Sequence, residues 1–309
     1  MKNLTRIKVI GVGGSGSNAV SRMAKCKIRG VELIVVNTDV QDLARAKADL
    51  KLRIGEKATQ GLGTGMKPEI GRKSALENRQ EIANLLNGSD MVFITYGAGG
   101  GTDTRAGPVV AEIAKETGAL TLAVVTKPFS FEGKVRAKIA ENGIKRLKEK
   151  VDTLITISND RLLTILNPNI PLLSAFWICD DILRQAVQGI SDLISLPGII
   201  NVDFADIKSI MANAGTAIFG TGRAQGEGRA EKAALSAINS PLLDSSCKGA
   251  KGVLFNVSGG RDINLAEIDR IASVITQEVN PEAKIIFGAV QDERLKKGEI
   301  KVTVIATGF

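Results

Sequence analysis

"RIKVIGVGGSGSNAV", residues 6–20, places a β-branched apolar run directly before a glycine-rich turn and a helical pattern. The run at 6–11 predicts a first strand, and the helix is expected from about Asn18 to Met23. Gly11, Gly13 and Gly16 satisfy G-x-G-x-x-G. In that pattern glycines allow a tight turn and a close backbone approach to an anion, and the helix start supplies N–H donors. One such unit predicts a parallel sheet whose ligand lies at the carboxyl ends of its strands.

The same alternation continues outward. Continuous apolar strands are predicted at 31–38, 51–55, 91–97, 119–128 and 152–158. Helices are predicted at 68–86, 105–117 and 133–150 between them. Strands apolar throughout, alternating with helices, imply a parallel sheet covered on both faces. A long helical pattern runs from Leu172 to Leu196 and is ended by Pro197-Gly198. A second α/β region follows, with strands at 217–222, 252–260, 284–290 and 299–308 and helices at 228–239 and 264–278. A charged, turn-like segment joins the last two strands and predicts that they run antiparallel. The expected organisation is an α/β chain with a nucleotide-binding domain at 1–171, a connecting helix at 172–196 and a second α/β domain at 197–309.

Composition excludes several chemistries. The 309 residues contain no histidine, which removes Ser-His-Asp and Cys-His sites and argues against zinc. The 3 cysteines are odd in number and lack C-x-x-C spacing, as expected of a reduced, cytoplasmic protein. No apolar run reaches the length of a membrane span. The net charge of +8 raises nucleic acid or anionic lipid as partners. The densest basic stretch, 133–150, reads as a solvated helix face with Ile139, Ile144 and Leu147 turned inward. No DNA- or RNA-reading motif accompanies it, so nucleic acid is not an expected partner.

"GAGGGTDTRAG", residues 97–107, is a second glycine-rich loop after a strand. Asp39 closes the second strand, near the place of a ribose-binding acid, so an NAD-dependent oxidoreductase competes. A dinucleotide pyrophosphate needs one glycine-rich turn. A triphosphate lying across the strand ends can use two.

"GVGGSGSNAV", "VNTD", "GLGTG" (61–65), "GAGGGT", "VVTKPFSFEG" (124–133) and "NVDFAD" (201–206) occur in this order. Together they resemble the bacterial cell-division members of the tubulin/FtsZ GTPase superfamily, over essentially the whole chain from Arg6 to Phe309. The resemblance implies a cytoplasmic GTPase, at the division site, that polymerises head to tail. It implies that Gly13, Gly14, Ser15, Gly16, Ser17 and Asn18 wrap the phosphates of GTP or GDP together with Gly99, Gly100, Gly101, Thr102, Asp103 and Thr104. Mg²⁺ is expected on those phosphates, and no residue is assigned to it. Glu132 and Arg136, at i,i+4, are implied at the ribose and phosphates; by themselves they read equally as a surface ion pair. Asn159 is implied at the guanine edge. Phe176 is implied to stack on the base, although it reads as well as core. Asp180 and Asp181 follow on the same helix, with Asp181 implied to accept from guanine N1 and N2. Asn201, Asp203 and Asp206 are implied to enter the next subunit's pocket and polarise the attacking water. Their spacing also reads as a helix start, with Asp203 as cap and Asp206 in the first turn. Other division proteins are expected to dock on a C-terminal tail, and the sequence stops at Phe309 without one.

Two residues depart from that pattern. The family loop reads G-G-G-T-G-T-G, so Asp103 and Arg105 stand where glycines are expected. A carboxylate about 4 Å from a phosphate oxygen costs up to about 4 kcal/mol at an effective dielectric of 20. It can also cap the N–H groups that phosphate needs. A position requiring positive φ would add strain of about 1–2 kcal/mol. Against these, Asp103 can turn toward Arg105 or reach Mg²⁺, and Arg105 can return positive charge to the phosphates. Trp177 beside Phe176 and the basic net charge are further departures. Three readings result: a filament-forming GTPase, a related filament or regulatory protein that binds nucleotide weakly because of Asp103, and the oxidoreductase.

Overall fold

The computed structural model describes residues 5–164, 166–167, 169–196, 198–241, 247–292 and 294–309. The chain forms two compact units, residues 1–188 and 189–309.

The first unit begins with β1 (Ile7–Val12), α1 (Gly13–Lys25), β2 (Val31–Asn37), α2 (Val40–Arg45), β3 (Leu50–Arg53) and α3 (Glu56–Thr59). It continues with α4 (Pro68–Glu77), α5 (Arg79–Leu86), β4 (Met91–Gly97), α6 (Asp103–Glu116) and β5 (Leu120–Lys127). After a 3₁₀ turn at 130–132 come α7 (Lys134–Lys148), β6 (Thr153–Ser158), α8 (Asn159–Leu163) and the long α9 (Leu172–Ser195). The strands pair in the order β3-β2-β1-β4-β5-β6, all parallel. The order reverses between β1 and β4, so a crevice opens at the carboxyl ends of these two strands, where ligands of open α/β sheets bind. Ile10, Val36, Ile94, Val110, Val125 and Leu154 belong to its buried core, each contributing about 1.5–3 kcal/mol on burial.

The first glycine-rich turn is fixed by contact. A Cβ on Gly16 would lie 2.7 Å from the Gly11 carbonyl carbon and 2.8 Å from the Thr95 oxygen. The pair Gly11/Gly16 therefore lets α1 sit directly on β1 and β4. Gly13, with φ +69°, makes the turn between them.

Two expectations need correction here. The helix expected at 68–86 is two helices, because Asn78 accepts from the Gly55 N–H at 2.8 Å and donates to Glu81 at 2.9 Å. Those side-chain bonds hold its backbone out of helical geometry. The helix expected from 105 starts two residues earlier, at Asp103.

The second unit holds the end of α9, β7 (Gly198–Ile200), α10 (Phe204–Met211), β8 (Gly215–Gln225), α11 (Arg229–Ile238) and β9 (Gly252–Gly259). It ends with α12 (Leu265–Gln277), β10 (Lys284–Gln291) and β11 (Glu299–Thr307). The sheet order is β8-β11-β9-β10-β7, with only β9 and β10 parallel. The last two strands do run in opposite directions, but β9 lies between them. Pro197, expected to end the long helix, lies outside the described residues.

Candidate functional site

The crevice of the first unit is lined by two glycine-rich loops. Gly99 has φ +108°, which favours glycine. Gly100 faces the Asp103 carboxylate: a Cβ there would lie 2.5 and 2.6 Å from its two oxygens. A Cβ on Gly101 would lie 2.2 Å from Thr64 Oγ1. Thr102 donates to or accepts from Thr38 at 2.7 Å and Thr64 at 3.3 Å, which ties this loop to the "GLGTG" loop. Sequence reading gives neither Thr38 nor Thr64 a role, although both lie within quoted motifs, "VNTD" and "GLGTG".

Asp103 opens α6 and is 6% exposed. Its Oδ2 accepts from Ser15 Oγ at 3.0 Å. Its Oδ1 accepts from the Thr104 N–H at 2.7 Å and from Thr104 Oγ1 at 3.1 Å. Thr104 Oγ1 in turn accepts from the Gly99 N–H at 2.8 Å. Burial pushes the Asp103 carboxyl up to about 6, against the bonds from Ser15 and Thr104 and the charge of Arg136. The left-handed strain considered for this position is absent, since Asp103 has helical backbone and is not among the positive-φ residues. Arg105 does not turn to Asp103; its guanidinium meets Glu69 at 2.6 Å.

The other residues expected at the phosphates divide by surroundings. Gly13 approaches Asp103, with a virtual Cβ 3.1 Å from the Asp103 nitrogen. Ser15 Oγ accepts from the Gly97 N–H at 2.8 Å. Gly16 is a packing glycine. Ser17 donates back to the Gly13 carbonyl at 2.8 Å and is buried. Gly14 lines a neighbouring cavity with Thr38, Asp39, Asp42, Thr64 and Thr102. Asn18 lies on the exposed face of α1. Asp39 is a helix cap, accepting from the Gln41 and Asp42 N–H groups at 2.9 and 3.0 Å. Its carboxylate is thus engaged locally rather than offered to a ribose.

A small pocket continues past Gly97 and Ser15. It is lined by Thr126, Glu132, Arg136, Asn159, Phe176, Cys179 and Asp180 among others. Glu132 pairs with Arg136 at 3.1 Å and accepts from the Phe129 N–H at 2.8 Å. Asn159 is buried and its Oδ1 has no hydrogen-bond partner; Arg136 Nε is likewise buried without one. Phe176 meets Phe129 edge-on, with ring centroids 5.6 Å apart. Burial lifts the Asp180 carboxyl to about 6; Arg22 opposes the rise and Asp181 adds to it. Burial likewise pushes the Cys179 thiol up to about 12, and the charge of Asp180 adds to that.

Asp181 does not line this pocket. It is held by Arg184 at 2.7 Å and by Gln185 at 2.8 Å; burial raises its pKa, but these bonds outweigh it and leave it lowered. One turn after Phe176 the helix presents Asp180, and Asp181 is rotated away. Trp177 is exposed, with the Arg22 guanidinium 5.1 Å from its ring centroid, and does not line the pocket either.

In the second unit Asn201 accepts from the Gly198 N–H at 2.9 Å. Asp203 stands at the N-cap of α10 but makes no side-chain cap bond, and Asp206 follows in the first turn. Both aspartates are exposed.

Residues 6–167 match the GTPase domain of the Tubulin/FtsZ family, and residues 215–309 match the FtsZ family C-terminal domain. The chain belongs to the tubulin/FtsZ family. Its members are filament-forming cytoskeletal GTPases of the kind that act in cell division, and the family implies binding of GTP and GDP. An empty FtsZ dimer from M. jannaschii is 47% identical, with a TM-score of 0.94, over 98% of this chain and 88% of that one. Two structures from Haloferax volcanii share the fold at 19% identity. The CetZ2 protofilament with GTPγS has a TM-score of 0.83 over 98% of this chain and 92% of that one. The CetZ1 monomer with GDP has a TM-score of 0.84 over 99% and 94%. The dinucleotide oxidoreductase reading ends here. No helix among the described residues is long and apolar enough to cross a membrane.

Proposed function

We propose that this chain binds guanine nucleotide in the first unit and hydrolyses GTP when a second copy supplies Asn201, Asp203 and Asp206, so that head-to-tail assembly and turnover are coupled. The supporting observation is the pair of acceptors in the base pocket. Asn159 Oδ1 is buried and unpartnered, and Asp180 lines the same pocket. A buried acceptor without a donor is unfavourable by about 1–3 kcal/mol. Guanine carries donors at N1 and N2, whereas adenine has neither the N2 amine nor an N1 donor. Phe176 supplies an apolar face for the base, and Glu132 with Arg136 lies toward the ribose and phosphates.

Hydrolysis needs little covalent chemistry from the protein; positioning and charge stabilisation carry it. Asp203 and Asp206 are exposed at the start of α10, so they are available to orient water on a neighbour's γ-phosphate. Mg²⁺ would neutralise charge on the phosphates. Among the described residues no cluster of three acidic or cysteine side chains forms, and no residue of this chain is assigned to the metal. The expected domains are the GTPase domain to 171, a connecting helix at 172–196 and the C-terminal domain from 197. The expected setting is the cytoplasm at the division site, with further division proteins binding through a tail. A second reading, a related filament or regulatory protein with weak nucleotide binding, is favoured by the buried Asp103 carboxylate in the phosphate loop.

Two measurements test the proposal. Guanosine and GDP should bind, and their adenine counterparts should bind at least about 10-fold more weakly, the scale of one lost polar contact. GTP turnover per subunit should rise with protein concentration from near zero. Turnover linear in enzyme down to high dilution would mean that one chain holds the complete site.

A further inference from the structure

We propose that Asp103 is an internal stand-in for phosphate: its carboxylate holds the anion seat of the glycine cradle, and a nucleotide's phosphates enter only when it is displaced or neutralised. This rests on the guanine-nucleotide reading and adds the residue that sets its affinity.

Part of the donor set that a phosphate oxygen would use is already engaged. Ser15 Oγ, the Thr104 N–H and Thr104 Oγ1 all point to the Asp103 oxygens, and the Gly99 N–H joins the same chain through Thr104. Space is engaged as well. The Gly100 backbone lies so close that a single added carbon would stand 2.5 Å from a carboxylate oxygen. The smallness of the glycines, which elsewhere makes room for an anion, here makes room for a side chain that is one. Glycine at 103 would leave the same donors free.

Charges around the carboxylate favour exclusion over tolerance. From β4, Tyr96 faces it as a buried phenol, its pKa raised by burial first and by the Asp103 charge second. From α7, Arg136 faces it, but its guanidinium is paired to Glu132. From α1 only the Ser15 hydroxyl reaches it. Arg105, two residues along, is taken by Glu69 of α4. Among the described residues no guanidinium is bonded to Asp103, so its ionised form is offset only by the nearby charge of Arg136, itself paired to Glu132. With its carboxyl lifted to about 6 by burial, Asp103 is ionised at neutral pH and neutral in mild acid. A neutral carboxyl can donate to a phosphate rather than repel it.

The test is a direct titration of GDP, GTP and guanosine into the 309-residue chain as wild type, Asp103→Gly and Asp103→Asn, with thermal unfolding as the check on folding. Asp103→Gly should bind GDP and GTP about 10- to 100-fold more tightly than wild type near neutral pH, after allowance for salt and rotation of the side chain. Asp103→Asn, which keeps the shape without the charge, should recover part of that gain. Guanosine, which has no phosphate, should bind all three alike. Lowering the pH from about 7.5 to about 5 should close most of the gap between wild type and Asp103→Asn, because Asp103 is the titrating group they do not share. Asp180 and the nucleotide's own phosphates titrate in both proteins and cancel in the ratio.

Equal GDP affinities in all three proteins, with binding present, would overturn the stand-in and leave the guanine-nucleotide reading intact. Weaker binding by Asp103→Gly only when Mg²⁺ is present would also overturn it, making Asp103 a metal anchor. Failure of all three folded proteins to bind GDP or guanosine would overturn the guanine-nucleotide reading itself.

Discussion

Two aspartates stand at helix starts in this protein, and their surroundings give them opposite characters. Asp103 begins α6 and Asp203 stands at the N-cap position of α10, so each sits at the positive end of a helix, where a carboxylate is favoured. Asp103 is 6% exposed and accepts three hydrogen bonds from its own unit. Asp203 is exposed and makes no cap bond; Asp206, one turn on, is exposed as well. A carboxylate satisfied internally closes the seat it occupies. Carboxylates left unsatisfied at the surface are free to act on something outside their own unit. The same residue type in the same local position thus serves as an occupant in one place and as a candidate reagent in the other.

Removing the reagent should have the larger effect. Asp206→Asn is expected to slow GTP turnover by about 100-fold or more, the scale for losing a positioned acid or base group. GDP affinity should stay within about 2-fold, because the proposed nucleotide site is built from the other unit of the same chain. Phosphate release at high protein concentration, beside a GDP titration, checks both. Unchanged turnover would reduce the exposed pair to ordinary helix residues and dissolve the contrast.

Neutralising the occupant should stabilise the nucleotide-free protein. The folded-state pKa of Asp103, about 6, lies above its ordinary value of 3.8. Between those values the folded state binds more protons than the unfolded state. Stability therefore falls as pH rises through this window, and the penalty is complete above it. Two units correspond to about 3 kcal/mol at most, and about 1–3 is the expected range for a group with internal partners. Asp103→Asn does not titrate, so it should exceed wild type by that amount at about pH 7.5 and lose the advantage below about pH 4. Urea denaturation at both pH values reads the difference. Asp180 has the same sign of shift and remains in both proteins.

Much of the fold was legible because parallel strands and amphipathic helices are local patterns. Residues 6–20 alone announce the strand, the turn and the helix, and Gly11 and Gly16 do pack as the fingerprint requires. What failed to show depends on distant partners. Asn78 breaks a helix because Gly55, 23 residues away, donates to it. The strand order of the second unit separates β10 from β11, which no turn between them reveals. At the site, the family resemblance implied the cradle, Glu132 with Arg136, and Asn159, and these residues do line one crevice and its adjoining pocket. It put Asp181 at the base, whereas Asp180 is the one that lines the pocket, since that rests on which face of α9 meets the pocket. It did not show that Arg105 belongs to Glu69. The family motif marked Asp103 as a departure, but its three bonds require Ser15 and Thr104 in place.

The smallest effect separates a charge at a helix end from a working cap. In the second unit Asn264 caps α12: its side chain accepts from the Glu267 N–H at 3.0 Å, and Glu267 accepts from the Asn264 N–H at 3.1 Å. Such a reciprocal box satisfies two otherwise orphaned donors, and Asn264→Ala should cost about 1 kcal/mol. Asp203 has the position without the bond, so Asp203→Ala removes only a charge near a helix dipole. Its expected cost is about 0.5 kcal/mol or less at moderate salt, and high salt should erase it. Chemical denaturation of both variants at low and high ionic strength measures the two together. A loss of about 1 kcal/mol for Asp203→Ala that persists in high salt would show that its carboxylate caps α10 in solution. It would then be committed within its own unit, as Asp103 is, and Asp206 alone would remain to act on a neighbour.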